Sequence, residues 1–319
     1  MHNYLNSRGI WVLLSGLLLA FASPVQAAVI GAYSGVVYED VGGGISREVI
    51  NGPHVTNSAG SSSSTAGYTS TSGLAASGYG QAAFGALHAS AFSVALGGYR
   101  TETRGLGGTY WRDQLTISNS TLTGTSAFAH ASFSLSGGLN SLSELLGAGT
   151  MGNSTINANV RINGGRVFFT GGQLVSHNGV ITTNEIRGCQ SLNGGDCDTD
   201  PVSDLTGVFS FDIPFVFGTP FQLYADLTAF TQALATGGQA SAYSNFGSSG
   251  YWEGISGVRL TNGTVVSGSS LSSESGFDWN NAYLRSALPP PPTGVPEPAS
   301  LALLGIGLAG LGAMRRRKA

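Results

Sequence analysis

Charged side chains are scarce in this sequence of 319 residues: they make up 10% of it, and Lys318 is the single lysine. Typical globular proteins carry charge on about a quarter of their residues. A helix-rich enzyme of the cytosol needs Glu, Lys and Arg on its solvent faces, so this composition disfavours that class. It also disfavours a disordered polyelectrolyte. The 49 glycines, with abundant Ser, Thr, Asn, Val and Phe, are typical of strands and tight turns.

Basic side chains are especially few in the middle of the chain. Residues 28–294 contain 16 acidic side chains and 9 arginines, a net charge of about −7, which the four basic residues at 315–318 partly hide. An acidic body without a basic stripe argues against nucleic acid as a partner. The charge would also serve simply to keep a surface protein soluble.

The N-terminus has the pattern of a secretory signal peptide, predicted to span residues 1–27. Arg8 precedes an apolar core from Ile10 to Ala22, Pro24 breaks that core, and Val25-Gln26-Ala27 offers small residues to a signal peptidase. We expect cleavage after Ala27. The alternative is an uncleaved anchor helix, but 13 apolar residues are too few to span a hydrocarbon core of about 30 Å.

The C-terminus has three parts in order: a proline-rich linker at 289–294, the sequence Val-Pro-Glu-Pro at 295–298, and 16 uncharged residues at 299–314 that a basic run follows. A helix over 299–314 would be about 24 Å long, marginal for a membrane span. The basic run should stay cytoplasmic by the positive-inside rule, which puts the body in the periplasm and agrees with the signal peptide. The basic residues are Arg315, Arg316, Arg317 and Lys318.

These C-terminal elements together resemble the PEP-CTERM sorting signal, spanning 295–318 in this chain. The resemblance implies recognition by an exosortase, a polytopic membrane transpeptidase, around Pro296, Glu297 and Pro298. It further implies removal of the tail, release or transfer to the envelope, and a Gram-negative host that makes exopolysaccharide. A sortase signal is the alternative, but Leu288-Pro289 and Thr293-Gly294 are too far apart for one. The stretch 251–279, which ends in the Ser-Gly-x-Asp-aromatic step at 275–279, also resembles the last strands of many PEP-CTERM bodies.

Alternating apolar residues predict the clearest strands of the body, within residues 207–231. Large apolar side chains occupy every second position from Phe209 to Phe217 and from Phe221 to Ala229, and the turn residues 218–220 separate the two runs. A period of two is typical of a strand with one buried face, so we predict two paired antiparallel strands. Pro214, on the outer face, indicates a strand edge or bulge.

Turn signals divide the rest of the body, residues 28–288, into short strands. Asn262-Gly263 is a strong hairpin signal, residues 139–147 are compatible with a short helix, and the serines at 61–64 are predicted to form a mobile loop. Further strand breaks are expected at Thr123-Gly124, Gly164-Gly165, Gly171-Gly172 and Asn178-Gly179. The pattern predicts an all-β fold, either an antiparallel β-sandwich or a jelly roll. A glycine-rich β-solenoid is less favoured because no repeat period is present.

Two cysteines, Cys189 and Cys197, are separated by seven residues. Export would place them in an oxidising compartment, so we predict a disulfide between them. Asp196, Asp198 and Asp200 alternate around the second cysteine and could hold Ca²⁺. The spacing lacks the glycine and the distal glutamate of an EF-hand, so a solvated acidic turn is the favoured interpretation. No other cofactor is predicted.

Recognisable catalytic motifs are missing. The body histidines are isolated, which argues against a zinc site, and the Gly-x-Ser-x-Gly elbow of an α/β-hydrolase is missing. Glu253 and Asp278 exemplify a carboxylate pair that nothing in the sequence singles out for glycoside hydrolysis. Trp111, Trp252 and Trp279 with Tyr110 and Tyr251 suit sugar stacking in principle, but core or half-buried positions in the sheet are favoured.

The sequence therefore predicts a non-enzymatic exported protein with a structural or adhesive role in the extracellular matrix or biofilm. Its expected partners are signal peptidase, exosortase, the inner membrane before processing, and exopolysaccharide. The expected location is the inner membrane first, and the cell surface or the extracellular space after processing. A calcium- or carbohydrate-binding module is the first alternative, and a secreted hydrolase is the second.

Overall fold

The computed structural model describes residues 28–40, 46–58, 60–70, 74–144, 149–192, 200–201 and 205–285, and these residues form strands and no α-helix. The predicted signal peptide with its cleavage site at Ala27, the linker 289–294 and the sorting tail 295–318 lie outside the described residues. Within the described part of the chain, no helix has the length and apolarity that crossing a membrane requires.

Within the described residues, sixteen strands pair in antiparallel fashion into one large sheet, which confirms the all-β prediction. The first eight are β1 (Val29–Asp40), β2 (Ser46–Asn51), β3 (Val55–Asn57), β4 (Ser61–Thr69), β5 (Ala75–Ala83), β6 (Ala86–Ser118), β7 (Ser126–Leu135) and β8 (Gly138–Ser143). The others are β9 (Met151–Ile162), β10 (Gly165–His177), β11 (Val180–Gln190), β12 (Asp200–Pro201), β13 (Gly207–Val216), β14 (Phe221–Leu260), β15 (Val265–Val266) and β16 (Ser270–Ser273).

Two long strands form the spine of the sheet: β6 has 33 residues, β14 has 40, and residues 86–115 of β6 pair with residues 221–251 of β14. The register shifts between Thr236 and Gly238, where Gly237 has a φ of 80° that favours glycine. On one side of this point β14 pairs with β9, and on the other side it pairs with β8 and then β7. Each long strand therefore belongs to two parts of the sheet.

These two parts face each other as layers. Layer one contains β1, β9, β10, β11 and the halves of β6 and β14 at 101–118 and 221–236. Layer two contains β4, β5, β7, β13 and the halves at 86–96 and 238–260. A Cβ atom built on Gly105 of layer one would lie 2.4 Å from the Ser77 carbonyl oxygen and 2.6 Å from that of Phe92 in layer two. The backbones of the two layers thus touch directly.

The interior between the layers changes character along the long strands. Towards the bend, the buried residues are small, such as Ala95, Ala233 and Ala240. Away from the bend the space is filled by large rings, with Trp111, Trp252 and Trp279 completely buried. The ring centroids of Trp111 and Trp279 are 4.6 Å apart. The three tryptophans are therefore core residues, as favoured by the sequence, and not a sugar-stacking set.

The alternating runs at 207–231 are strands β13 and β14, but the predicted pairing between them is wrong. β13 pairs with β7, while the start of β14 pairs with β6 and β9. The turn at 217–220 carries the chain from one layer to the other, so the two apolar faces meet across the core instead of side by side. Alternation within a strand indicates which of its faces is buried, but it does not indicate which strand lies beside it.

The local predictions for β13 and the turns fare better. Pro214 lies on a strand that pairs only with β7 among the described residues, so its missing N–H falls at the predicted edge. Asn163-Gly164 and Asn178-Gly179 each have positive φ at both residues and join β9 to β10 and β10 to β11. The predicted hairpin at Asn262-Gly263 joins β14 to β15.

Three local predictions are wrong. Residues 139–143 form part of β8 instead of a helix, because they pair with Ala240–Asn245 of β14. The four serines at 61–64 open β4 instead of a loop, and Ser62 and Ser64 are buried with hydrogen bonds to the Ile30 carbonyl and the Ser34 hydroxyl. Gly171-Gly172 does not interrupt β10, since both glycines make room for neighbouring side chains such as Phe169 and Leu205.

Candidate functional site

The residues predicted to carry sorting lie outside the described part of the chain: Pro296, Glu297, Pro298, Arg315, Arg316, Arg317 and Lys318. The same holds for Cys197, Asp196 and Asp198. Cys189 is a partly exposed residue of β11, and Asp200 begins β12, whose backbone pairs with Gly188. The disulfide and the calcium site therefore stay predictions. Among the described residues, no group of three side chains is arranged to hold a metal ion.

The two carboxylates considered for hydrolysis have separate partners. Glu253 forms an ion pair of 2.7 Å with Arg285 and accepts a hydrogen bond of 2.5 Å from the Ser134 hydroxyl. Asp278 is exposed, and hydrogen bonds from the Asn281 side chain and the Asn280 backbone lower its pKa. A general acid needs a raised pKa, so Asp278 is a poor candidate for that role.

The outer face of layer one carries a cluster of partly exposed aromatic and polar side chains. Tyr33 of β1, Tyr110 of β6, Tyr224 of β14 and Phe169 of β10 all point outward from this layer. The rings of Tyr110 and Tyr224 are near-parallel with centroids 6.0 Å apart, and exposed His54 lies beside Tyr110 at 6.1 Å. We call this surface the aromatic face.

Glycines hold these rings flat against the sheet. A Cβ atom on Gly31 would lie 2.3 Å from the ring of Tyr110, and one on Gly108 would lie 2.1 Å from the ring of Tyr33. Each ring thus occupies the space above a glycine on the neighbouring strand. The Tyr33 hydroxyl also shares a hydrogen bond of 3.1 Å with the Thr228 hydroxyl, which fixes its position. The result is a flat aromatic surface whose outer side faces solvent.

A row of arginines borders the aromatic face. Tyr224 pairs with Arg112 on β6 and with Arg161 on β9, and Arg161 pairs in turn with Arg166 on β10. The Arg161 guanidinium lies 5.9 Å from the centre of the Tyr224 ring, and that of Arg166 lies 4.8 Å from the Phe169 ring. Among the ion pairs of the described residues, none involves Arg161 or Arg166. Both side chains are partly exposed, so their guanidinium groups are accessible from solvent.

One carboxyl group, that of Asp226, lies within this cluster. Burial raises its pKa above the usual carboxyl value, against the lowering effects of a 3.0 Å hydrogen bond from the Asn159 amide and of the charges of Arg161 and Arg166. Burial also raises the pKa of Tyr224, whose hydroxyl is protonated at neutral pH and can donate a hydrogen bond. The cluster therefore combines partly exposed rings with a carboxyl group and a phenol whose pKa values are both raised by burial.

Little of this face could be predicted from the amino-acid sequence. Of its rings, sequence reasoning considered Tyr110 alone, and grouped it with tryptophans that are in the core. The sequence contains one weak indication of this face, which is that glycines such as Gly31 and Gly108 lie directly opposite tyrosines on the neighbouring strand. That signal becomes informative only once the pairing of β1 with β6 is known.

The Ser-Gly-x-Asp-Trp step at 275–279 proves to be an anchor for the C-terminal end of the body. Buried Asp113 of β6 accepts hydrogen bonds from the Trp279 indole at 2.7 Å, the Ser275 hydroxyl at 2.5 Å and the Ser275 backbone N–H at 3.1 Å. A fourth comes from the backbone N–H of Gln114 at 2.9 Å. The segment that leads to the linker is thereby fastened to the spine of the sheet.

We expect Asp113→Asn to destabilise the protein by about 2–3 kcal/mol, because the amide would turn one NH₂ towards buried donors. Asp278→Asn is the matched control, since Asp278 is exposed, and should cost under about 0.5 kcal/mol. The intrinsic tryptophan fluorescence during urea unfolding measures both variants. Equal unfolding midpoints for the two variants would contradict the anchoring role of Asp113.

Comparison with known proteins identifies the C-terminal segment. Residues 294–318 match the family model described as the PEP-CTERM protein-sorting motif. No curated protein and no solved structure is significantly similar to the chain. The match agrees with the boundaries inferred from the proline, glutamate and basic residues of the tail. The chain therefore carries a PEP-CTERM sorting motif at its C-terminus, and this motif implies export and processing by an exosortase.

Proposed function

We propose that this protein is an exosortase substrate that serves as a structural or adhesive component of the cell surface or of a biofilm matrix. The observation that carries the proposal is the sorting motif at 294–318. A cleaved signal peptide at 1–27 and a transient membrane helix at 299–314 would hold the body in the periplasm until the tail is removed. The Cys189–Cys197 disulfide would form there.

The body supports a mechanical role through its continuity. β6 and β14 run through both layers, so a load on one layer passes along the same two strands into the other. The anchor at Asp113 ties the tail-bearing end to β6. We propose that this folded-back sheet is a variant of the β-sandwich, with jelly-roll-like connections, and that it acts without catalysis.

Two alternatives remain as proposals. A calcium-dependent module would use Asp196, Asp198 and Asp200. A secreted hydrolase would need a carboxylate pair in a cleft, and the partners of Glu253 and Asp278 described above do not favour that pair. A carbohydrate-binding module has a specific observation in its favour, the aromatic face.

The sorting prediction is tested by Glu297→Ala in the native host. We expect this variant to accumulate as a longer, membrane-retained form. The substitution removes the charged side chain between the two prolines, so an exosortase that recognises Pro-Glu-Pro would no longer cleave the tail. Glu274→Ala, an exposed carboxylate of the body, is the control and should be processed like the wild type. Intact mass and cell fractionation, with and without the host exosortase, provide the measurement. A tail retained equally in wild type and Glu297→Ala would contradict proteolytic sorting at this motif.

A further inference from the structure

We propose that the aromatic face of layer one binds an acidic polysaccharide, with sugar rings stacked on Tyr33, Tyr110 and Tyr224 and with uronate carboxylates paired to Arg161 and Arg166. This binding site does not depend on sorting. It rests on the shape, the charge and the hydrogen-bonding groups of one surface.

The shape suits a chain of sugar rings. A pyranose ring has a face of C–H groups whose partial positive charge is attracted to the negative face of an aromatic ring. Flat rings on a flat surface therefore stack well, and Gly31 and Gly108 keep Tyr110 and Tyr33 flat. From β1 to β10 the surface crosses β6, β14 and β9, a distance of about 19 Å at the usual strand spacing. That length accommodates several sugar rings in a row.

The hydrogen-bonding groups suit a sugar as well. Thr228, Asn157 and Gln173 also point outward from layer one, beside the tyrosine hydroxyls. A shallow groove continues the surface over β9, β10 and β11, lined by Asn157, Phe169, Gln173, Glu185 and Arg187 among others. Amides and hydroxyls can both donate and accept hydrogen bonds, as sugar hydroxyls do.

The charge selects an acidic ligand. The body contains nine arginines, and three of them, Arg112, Arg161 and Arg166, share the row beside Tyr224. A guanidinium binds a carboxylate through two parallel hydrogen bonds, and Arg161 and Arg166 are held in place by their aromatic neighbours. A neutral glucan would leave this basic row unused.

Single-stranded nucleic acid also combines stacking with negative charge, but the surface fits it less well. Nucleic-acid grooves carry basic residues along their whole length. Here the basic residues form one row at the edge of the rings, and the rest of the face presents amides and hydroxyls, which match sugar hydroxyls better than a phosphate backbone. The polysaccharide is therefore the occupant that the surface favours.

The test is affinity electrophoresis and calorimetry of the full-length chain, purified in detergent micelles, with polygalacturonate as the probe. Dextran, a neutral glucan, and oligothymidylate are the comparison ligands. We expect polygalacturonate to bind, and Tyr224→Ala and Arg161→Gln each to weaken it about tenfold, the effect of losing roughly 1.4 kcal/mol. Tyr224→Phe, which keeps the ring, should bind within about twofold of the wild type.

Matched controls lie elsewhere on the surface. Tyr243→Ala removes a tyrosine that is 40% exposed on layer two, and Arg100→Gln removes an exposed arginine near the bend. Both should leave binding unchanged. Should Tyr224→Ala not fold, Arg161→Gln and Arg166→Gln test the same surface. The proposal is overturned by no binding, by equal binding of dextran or oligothymidylate, or by binding that the controls weaken as much as Arg161→Gln does. Failed tail processing, by contrast, would leave binding intact.

Discussion

Gly107→Ala is expected to prevent the protein from folding stably, although it adds a single methyl group. The added Cβ atom would lie 2.1 Å from the carbonyl oxygen of Tyr79 and 2.4 Å from that of Ser90. Both obstacles belong to the backbone of layer two, so no side chain can rotate out of the way. The layers would have to separate, and separation would disturb the pairing of β6 with β14 and with β1.

Overpacking of a core usually costs about 1–3 kcal/mol. Here the obstruction comes from two fixed strands at once, so we expect more than about 5 kcal/mol, which is the lower limit of the stability of many domains. Gly67→Ala is the matched control: Gly67 lies on the exposed side of β4, with nothing within 4 Å of the added atom. It should be neutral or should stabilise by up to about 1 kcal/mol.

Yield of folded protein, thermal melting and resistance to limited proteolysis measure this difference. A Gly107→Ala variant that melts like the wild type would show that the layers are further apart than the structure has them. The neighbouring contacts give an independent check. Gly78 approaches the Leu106 carbonyl from the opposite layer, with 1.9 Å to an added Cβ, so Gly78→Ala should fail in the same way.

The close approach of the two layers explains part of the high glycine content of this sequence. The many glycines predicted turns, and several of them do occupy turns with positive φ, for example Gly164, Gly179 and Gly263. Others, such as Gly78, Gly105 and Gly107, lie inside strands. The same residue type serves two purposes, and composition alone cannot distinguish them.

The sequence also predicted the buried faces of β13 and β14 correctly while it missed their partners. Burial follows from alternation within one strand, which is a local property. Pairing depends on which strands meet, and the decisive strands here are far apart: Tyr224 of β14 pairs with Arg112 of β6 and with Arg161 of β9. The aromatic face therefore could not be assembled from the sequence. Its four rings come from four strands and are separated by dozens of residues.

The outer face of β13 shows where alternation oversimplifies. Asp212 lies on the same side of the strand as Ser210 and Pro214, yet it is buried. It accepts hydrogen bonds from Arg259 at 2.5 Å and from His130 at 3.1 Å. Asp212 is thus covered by Arg259 of β14, although it lies on the face of β13 that the alternation predicts to be exposed. The sequence pattern within β13 contains no information about this partner.

The second large effect is expected at Phe211, on the buried side of β13. Its ring is fully buried and lies 5.7 Å from the Phe168 ring of layer one and 6.2 Å from the Trp252 ring. Phe211→Ala would leave a cavity between the layers and remove both ring contacts. We expect a loss of about 3–5 kcal/mol.

Ser210→Ala is the matched control, one residue away on the opposite side of the same strand. It loses a 2.9 Å hydrogen bond between the partly exposed hydroxyls of Ser210 and Ser132, which should cost under about 1 kcal/mol. Urea unfolding of the purified chain measures both variants, with the midpoint reporting stability and an unchanged slope confirming a comparable transition. Equal losses at Phe211 and Ser210 would mean that both sides of β13 are buried, as in a strand enclosed between two layers. A loss confined to Phe211 would support the placement of β13 at the wall of a single core, with one side packed against layer one and the other facing outward.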